Sequence, residues 1–250
     1  MAEAGRNGSV IAKEVDAPSR PLRHRALDAA FCSAFAVLSA ALAFDIWVGH
    51  ERPALDRLFF PAIALASYLA ADFSSGFVHW MADNYGSPQT PLLGPKLVAP
   101  FREHHVDPLA ITRHDFLEAN GDNCLTALFV LVPAYVWLPG VDAPWAVALE
   151  LFVLLLAIGV LLTSVAHGWA HQERPPAIAR LLQRAGLVVS PAHHAKHHQG
   201  AHGTHYCITT GWLNPLLDRT RFFRALERGL ATVGIRRSQG QTRPRTSERT

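Results

Sequence analysis

Four apolar segments constrain the fold of this 250-residue chain more than any other feature. They cover residues 29–44, 58–73, 124–138 and 145–165. A helix needs about 20 apolar residues to cross the hydrocarbon core of a bilayer, and only the last segment is that long. The other three segments can cross the bilayer only if their polar-flanked ends are part of the spanning helix. The third contains Pro133 and has the weakest apolar pattern, so it could be re-entrant. The expected fold is therefore an all-α, multi-pass membrane helical bundle with about four spans.

The positive charges predict the orientation of this bundle. With four spans and both termini on one side, the two loops on the opposite side hold only Arg52, and Arg57 lies at the boundary. The other 21 Lys and Arg residues fall on the side of the termini. Because cytoplasmic loops carry the excess of Lys and Arg, we expect cytoplasmic termini. The membrane would be a bacterial inner membrane, or the endoplasmic reticulum if the chain is eukaryotic.

Composition narrows the class of protein further. The net charge of +3 is modest and its arginines crowd the termini, which indicates no nucleic-acid partner. The three cysteines are far apart and include no C-x-x-C pair, which excludes a cysteine zinc ribbon and a dithiol redox site. Residues 1–25 and 231–250 are polar and basic, and we expect disordered tails there, flanking one domain at 26–230.

Histidines give this bundle its candidate chemistry. Twelve of the 14 lie between His79 and His205, and the four-span topology places all twelve on the cytoplasmic face. Neutral imidazole is the commonest protein metal ligand. Soluble structural zinc needs only four ligands, usually with cysteine among them, so this many histidines beside lipid indicate more than one metal ion. We therefore expect a cytoplasmic, histidine-rich metal-binding cap.

Spacing supports metal binding by two of the clusters. The first is a pair four residues apart at the end of the fourth segment, and such residues share a helix face. The second follows Ser190-Pro191, a helix start with serine as N-cap and proline at the first helical position. Its spacing can serve one metal or two. The two clusters are His167 with His171, and His194 with His197 and His198, preceded by His193.

Further candidates lie before the third segment and at the end of the second. His104, His105 and His114 come from a proline-rich loop that returns to the same face. His79 ends the second segment, and Asp83 or Asp72 could orient its ring or bind metal directly. Asn120 and Asp122 are further candidates for orienting a ligand, although Asn120 and the following glycine could simply form a turn.

Some absences are informative. The chain contains no H-E-x-x-H motif, which argues against a zinc metalloprotease. It contains no G-x-G-x-x-G or Walker A loop and no C-x-x-C-H haem-attachment motif. Any reductive chemistry must therefore take its electrons from another protein.

Several runs, together covering about residues 55–220, resemble the Kua-type (CarF-type) lipid desaturase family. The most specific are the E-x-N-G-D-N and C-I-T-T-G-W-L-N runs. The matching runs are Phe77-Val78-His79-Trp80, Arg102-Glu103-His104-His105, Glu118-x-Asn120-Gly121-Asp122-Asn123, His167-x-x-x-His171, His194-x-x-His197-His198 and Cys207-Ile208-Thr209-Thr210-Gly211-Trp212-Leu213-Asn214.

The resemblance implies an O₂-dependent di-iron desaturase. The enzyme would convert the 1-O-alkyl chain of an ether phospholipid in the bilayer into the vinyl ether of a plasmalogen. A cytochrome b5-like or ferredoxin-like protein would supply electrons. The implied iron ligands are His79, His104, His105, His114, His167, His171, His194, His197, His198 and His202, with His193 a weaker candidate. His205 stands where we expect an aromatic residue, and we treat it as peripheral.

Three alternatives stay open at this stage. An acyl-chain desaturase and a lipid hydroxylase would use the same di-iron site. A metal transporter or sensor is the non-enzymatic alternative, although the histidines collect at one face instead of following a path through the membrane. In any lipid enzyme, Lys96, Arg102 and Arg113 are candidates to contact the lipid phosphate, because Arg matches phosphate oxygens. Arg102 or Arg113 could instead pair with nearby carboxylates.

Overall fold

A computed structural model describes residues 21–48, 59–91, 93–141 and 143–238. Of the tails predicted to be disordered, 1–25 and 231–250, residues 1–20 and 239–250 lie outside the described residues, whereas residues 22–25 and 231–232 are helical. Residues 49–58, which include two arginines, also lie outside the described residues. The regular elements of the described residues are all helical, which confirms the predicted fold class. They are α1 (Leu22–Val48), α2 (Phe60–Asn84), a π-helical turn (Gly94–Val98), α3 (Ala99–Val106), a 3₁₀ turn (Ala110–Thr112), α4 (Phe116–Trp137), α5 (Pro144–His171), α6 (Ala177–Arg184), α7 (Pro191–His194), α8 (Asn214–Arg219) and α9 (Phe222–Thr232).

The long helices make this a membrane protein. Within the described residues, α1, α2 and α5 are long and apolar enough to cross a bilayer. The fourth long helix, α4, is not among them because its first two turns are polar. It is nevertheless one continuous helix of 22 residues that runs through Pro133, about 33 Å long. It therefore shows no re-entrant break. Asn120 lies inside α4, so the alternative of a turn at Asn120 is wrong.

Contacts between the long helices define one end of the bundle. Ser164 Oγ, near the end of α5, donates to the carbonyl of Ala119, near the start of α4, at 2.8 Å. The rings of His167 and His79, near the ends of α5 and α2, lie 6.2 Å apart. The first two turns of α4 pack against Asp28, near the start of α1. The starts of α1 and α4 and the ends of α2 and α5 therefore meet at the same end, as four alternating passes require.

Small side chains let these helices approach closely. The largest core cluster joins α1, α4 and α5, and alanine is its commonest residue; its alanines are Ala127, Ala134, Ala146 and Ala157. At the crossing of α2 and α5, a Cβ on Gly159 would lie 2.6 Å from the Cβ of Ala71, so only glycine fits there. Small residues at the contacts are typical of helices that associate within lipid, where burying apolar side chains gives no net driving force.

The short helices and their loops cover the end of the bundle where α2 and α5 finish. The predicted helix start at Ser190 is confirmed, because its Oγ accepts the backbone N–H of His193 at 3.2 Å. The helix it caps, α7, has only four residues and continues as turns that carry His197 and His198. The predicted histidine-rich cap is therefore present at one end of the bundle.

Candidate metal centre

Five histidines from four segments form the first ligand group, which we call group one. Two come from α5, one from α3, one from α7 and one from the turn after α7. The ligand atoms of four of them lie within 4.8 Å of one another. The members are His104, His167, His171, His194 and His198.

Four of the five histidines of group one, all but His171, bring their Nε2 atoms into a closed ring. The Nε2 of His167 lies 3.0 Å from the Nε2 of both His104 and His194, and the Nε2 of His198 lies 3.0 Å from the same two atoms. One ring nitrogen carries either a hydrogen or a lone pair. Neither a hydrogen nor a lone pair can point at two neighbouring nitrogens at once. A cation at the centre of the ring would face the lone pairs of all four nitrogens. Nitrogens bound at ~2.1 Å and at right angles to one another around one ion would be about 3.0 Å apart, as observed.

Three further histidines meet one carboxylate in a second group, which we call group two. The Oδ2 of Asp83 lies 3.6 Å from the Nε2 of His79, 3.7 Å from that of His105 and 3.5 Å from that of His197. These distances are too long for hydrogen bonds. Both oxygens of Asp83 and the Nε2 of His79 are buried without a hydrogen-bond partner. Buried polar groups are normally paired. This arrangement therefore fits a cation bound by the carboxylate of Asp83 and by the three Nε2 atoms.

Backbone carbonyls turn two rings of group two toward its centre. His79 Nδ1 lies 3.1 Å from the carbonyl of Tyr206, and His197 Nδ1 lies 2.8 Å from that of Thr204. A carbonyl can only accept, so each Nδ1 carries the hydrogen and each Nε2 keeps its lone pair for the centre. These two carbonyls were missed by the sequence analysis, since a main-chain atom leaves no signature in residue type.

The two groups adjoin because neighbouring residues divide between them. Of the consecutive pair in α3, His104 belongs to group one and His105 to group two. Of the pair after α7, His198 belongs to group one and His197 to group two. The rings within each pair have centroids 6.1 Å and 5.6 Å apart. The arrangement could therefore hold two metal ions side by side.

Burial keeps these imidazoles neutral. Burial and the neighbouring imidazoles lower the pKa of His104 and of His105 to about 2. Burial likewise lowers the pKa of His197 and of His198 to about 4. A neutral ring is the form that binds metal, so the site does not have to lose protons near neutral pH before it binds an ion.

The loop behind group two is attached to α2 by Asp72. Its Oδ1 accepts the backbone N–H groups of Thr210 and Gly211 at 2.8 and 2.9 Å, and its Oδ2 accepts that of Leu213 at 3.1 Å. Asp72 therefore does not point at His79, as the sequence allowed, and it belongs to neither group. It fixes the loop whose carbonyls orient the rings. Asn214 closes the same loop through two bonds to the backbone of Cys207.

Four predicted or neighbouring histidines lie outside the two groups. The ring of His202 stacks on that of His105 at 4.2 Å, beside group two but without an atom in it. His114 is the clearest departure, because its Nδ1 pairs with Glu118 at 3.1 Å one turn into α4. His193 contacts Asn214 through Nε2 at 3.0 Å, and His205 pairs with Asp218 at 3.2 Å.

The remaining polar candidates divide between a cavity and the surface of the cap. Lys96 Nζ pairs with Asp122 at 2.6 Å, and both side chains line the cavity described below. Arg102 instead donates to the carbonyl of Gly86 at 2.9 Å, and Arg113 pairs with a nearby aspartate, as the alternative reading of the sequence allowed. Neither arginine lines the cavity.

Asn120, the last candidate for orienting a ligand, is buried and donates to the carbonyl of Phe116 within its own helix at 2.8 Å.

A cavity of about 440 Å³ leads to group one between α2, α4, α5 and the segment around α3. Part of its wall is apolar and includes Val78, Val160 and Ile208. His104 and His167 border it directly. Ionisable side chains also line it, and they are Lys96, Glu103, His114, Glu118 and Asp122. Its volume lies in the range of small-molecule sites, and its lining suits a ligand with a charged end and an apolar chain.

Fold and site together define a class: helical membrane proteins in which buried histidines and one carboxylate form two adjoining groups that could hold metal. The family described as lipid desaturase domain matches residues 68–239, which contain every member of both groups. The chain therefore belongs to the lipid desaturase family and is an oxidoreductase of the membrane desaturase class.

Named relatives agree with this assignment. The chain is 43% identical over 204 residues to the plasmanylethanolamine desaturase of Myxococcus xanthus, covering 82% of this chain and 71% of that protein. It is 44% identical over 171 residues to plasmanylethanolamine desaturase 1 of Mus musculus, covering 65% of this chain and 62% of that protein. It is 36% identical over 170 residues to the chloroplastic fatty acid desaturase 4 of Arabidopsis thaliana, covering 67% of this chain and 50% of that protein. No solved structure matches the chain.

Proposed function

We propose that this protein is a plasmanylethanolamine desaturase, which converts the 1-O-alkyl chain of an ether phospholipid into the vinyl ether of a plasmalogen. The observation that carries the proposal is the cavity, because its charged lining and group one lie close together. The bond to be oxidised adjoins the ether oxygen and so lies close to the head group. A lipid with its head group near Lys96 and Asp122 would bring that bond to His104 and His167 without folding its chain back.

The residues present fit two iron ions. Group one would hold one ion through imidazole nitrogens, and group two would hold the other through three imidazoles and the carboxylate of Asp83. Imidazole with carboxylate is a ligand set that suits iron. Two iron ions bound there would supply the O₂-dependent oxidation that the side chains themselves cannot perform.

The protein's own residues position the substrate. Val78, Val160 and Ile208 hold the alkyl chain out of water along the wall of the cavity. In this proposal Lys96 contacts the lipid phosphate and its partner Asp122 contacts the ammonium of an ethanolamine head group, which the pairing of the two side chains beside the cavity supports. The carbonyls of Thr204 and Tyr206 hold the imidazole tautomers, so the ligand atoms stay aligned during turnover.

The reaction needs an electron source outside the chain. Removing two hydrogen atoms from the alkyl chain supplies two electrons and two protons. Reducing O₂ to two waters takes four of each, so two electrons and two protons must come from elsewhere. We infer a cytochrome b5-like or ferredoxin-like donor. The excess of Lys and Arg on the side of the termini supports a cytoplasmic metal centre, where such carriers are found.

The test is production of acid-labile vinyl-ether lipid in plasmalogen-free cells that are fed an alkyl-ether phospholipid under air. We expect the product from wild type, detected by mass spectrometry, and none from His198→Ala. The matched control is His24→Ala, which removes a histidine from the first turn of α1, outside both groups, and which should keep wild-type output.

Each alternative has a distinct product. A new double bond in an ester-linked chain would indicate an acyl-chain desaturase, and a hydroxylated ether without vinyl ether would indicate a hydroxylase. Metal uptake into vesicles containing the purified protein would indicate a transporter. Any of these results, with no vinyl ether from well-expressed protein and a working electron donor, would contradict the proposal.

A further inference from the structure

The cap carries a concentrated arginine face that the lipid site does not use. Arg224 and Arg228 are four residues apart and so lie on one side of α9, and Arg221 is the residue immediately before its first turn. All three are exposed. Further exposed arginines flank this helix, namely Arg219, Arg236 and Arg237. We call these six residues the arginine face.

The opposite side of α9 packs against the protein. Phe223 is buried in a cluster with Trp80 and Tyr206, and Phe222, Leu226 and Leu230 pack against that cluster. A helix that lies in the membrane interface buries its apolar side in lipid. Because the apolar side of α9 is already buried against α2 and the loop at Tyr206, its arginines point away from the bundle.

Aromatic rings connect this helix with group two. The centroid of Phe223 lies 5.0 Å from that of Tyr206, and the centroid of Tyr206 lies 5.2 Å from that of His197. Phe223 also stacks on Trp80 at 5.4 Å, and Trp80 is the neighbour of His79 in sequence. Two ring-to-ring steps therefore separate the helix that carries the arginine face from a ligand of group two. A partner on this face would come close to the centre.

We propose that the arginine face is the docking surface for an acidic one-electron carrier protein that delivers the two external electrons of the reaction. This inference rests on the proposed function for its need of electrons. The charge of the face selects an acidic partner, since complementary charge steers encounter and fixes register. The carrier arrives reduced, gives up one electron at each of two encounters, and leaves oxidised.

Binding is the first test and does not depend on turnover. The purified protein in zwitterionic nanodiscs is titrated with the acidic haem domain of a b5-type cytochrome. We expect Arg224→Glu/Arg228→Glu to weaken binding at least about tenfold, and we expect wild-type affinity to fall as salt rises. The matched control, Arg174→Glu/Arg184→Glu, reverses two exposed arginines next to and at the end of α6 and should change affinity less than about twofold.

Two results would overturn the docking proposal. One is equal carrier affinity of wild type and the α9 variant. The other is an equal loss in both variants, which would show a response to net charge alone. If the α9 variant instead lost affinity only for anionic lipid, the face would be assigned to the membrane surface.

Turnover then separates this inference from the proposed function. With dithionite as the reductant, the α9 variant should make vinyl ether at the wild-type rate, while with the reduced cytochrome it should be at least about tenfold slower. A variant that is equally slow with both reductants would contradict docking, because the defect would lie in the metal centre. Wild type that makes no vinyl ether with either reductant but still binds the cytochrome through α9 would contradict the proposed function and leave the docking surface standing.

Discussion

Asp83 is the residue on which group two depends, because it is the only carboxylate in a ring of imidazoles. It occupies the position four residues after His79, and α2 therefore presents both side chains on one face. Its charge offsets part of the charge of a bound cation, and a neutral amide of the same shape would not. Residue type, spacing and burial all point to the same role.

We expect Asp83→Asn to lose the metal of group two and keep that of group one, which halves the metal-to-protein ratio. The loss follows from removing the negative ligand while the volume stays constant. Elemental analysis of purified protein by mass spectrometry measures this ratio. His114→Gln is the control, because His114 pairs with Glu118 outside both groups and its replacement should leave the ratio unchanged. Full metal content in Asp83→Asn would show that the carboxylate is not a ligand.

At the scale of elements, the loop at 207–213 is fastened to α2 by one side chain. Asp72 is fully buried and accepts three backbone N–H groups. A Cβ on Gly76, one turn further along α2, would lie 2.5 Å from the Sγ of Cys207, so the loop also needs a bare helix surface. The two features together hold the carbonyl of Tyr206 against His79.

Replacing Asp72 with Asn should lower the free energy of unfolding by about 3 kcal/mol, since the amide retains one acceptor oxygen and loses the charge. Thermal unfolding of the detergent-purified protein measures the change. Asp107→Asn makes the same substitution at an exposed carboxylate and should leave the midpoint within error. An Asp72→Asn midpoint equal to that of wild type would show that the loop is held by other contacts.

Elements also show which part of the site the sequence could predict. Histidines at i and i+4, such as His167 and His171, were recognised because both residues lie on one helix. Consecutive residues of a helix point about 100° apart, so the division of His104 and His105 between two groups was within reach of the same argument. The role of Asp72 was not, because its three partners lie about 140 residues further along the chain and no local spacing reveals them. His114 lies apart from both groups for the converse reason: its nearness in sequence to other histidines did not bring it to them.

For the whole molecule, the fold could be predicted because the thickness of a bilayer limits how apolar segments can be arranged. A chain with apolar segments near the thickness of a bilayer has few arrangements open to it, and four alternating passes bring all the histidine clusters to one end. The cap was harder to predict. Its short helices, such as α6 and α7, have eight and four residues and no periodic pattern long enough to identify.

The neutral histidines predict how the whole molecule responds to acid once metal is removed. Burial lowers the pKa of His197 and His198 to about 4 in the folded protein, whereas the unfolded chain titrates near 6.5. Below about 6.5 the unfolded state binds protons that the folded state does not, so stability is complete above that pH and falls as pH drops toward about 4. Thermal midpoints of the metal-free protein between pH 8 and pH 4 measure this trend. A midpoint that rises with acid would contradict the burial of neutral rings.

The division of adjacent histidines between the two groups links the binding of one metal ion to the binding of the other. Because α3 and the turn after α7 each send consecutive side chains to opposite partners, any backbone movement that opens one pocket also displaces the walls of the other. The first ion to arrive therefore immobilises two segments on behalf of the second and spares it the entropy of ordering them. In wild type, molecules with only one pocket filled should therefore be rarer than independent binding predicts, and in Asp83→Asn the ion that remains at group one should be bound more weakly than in wild type.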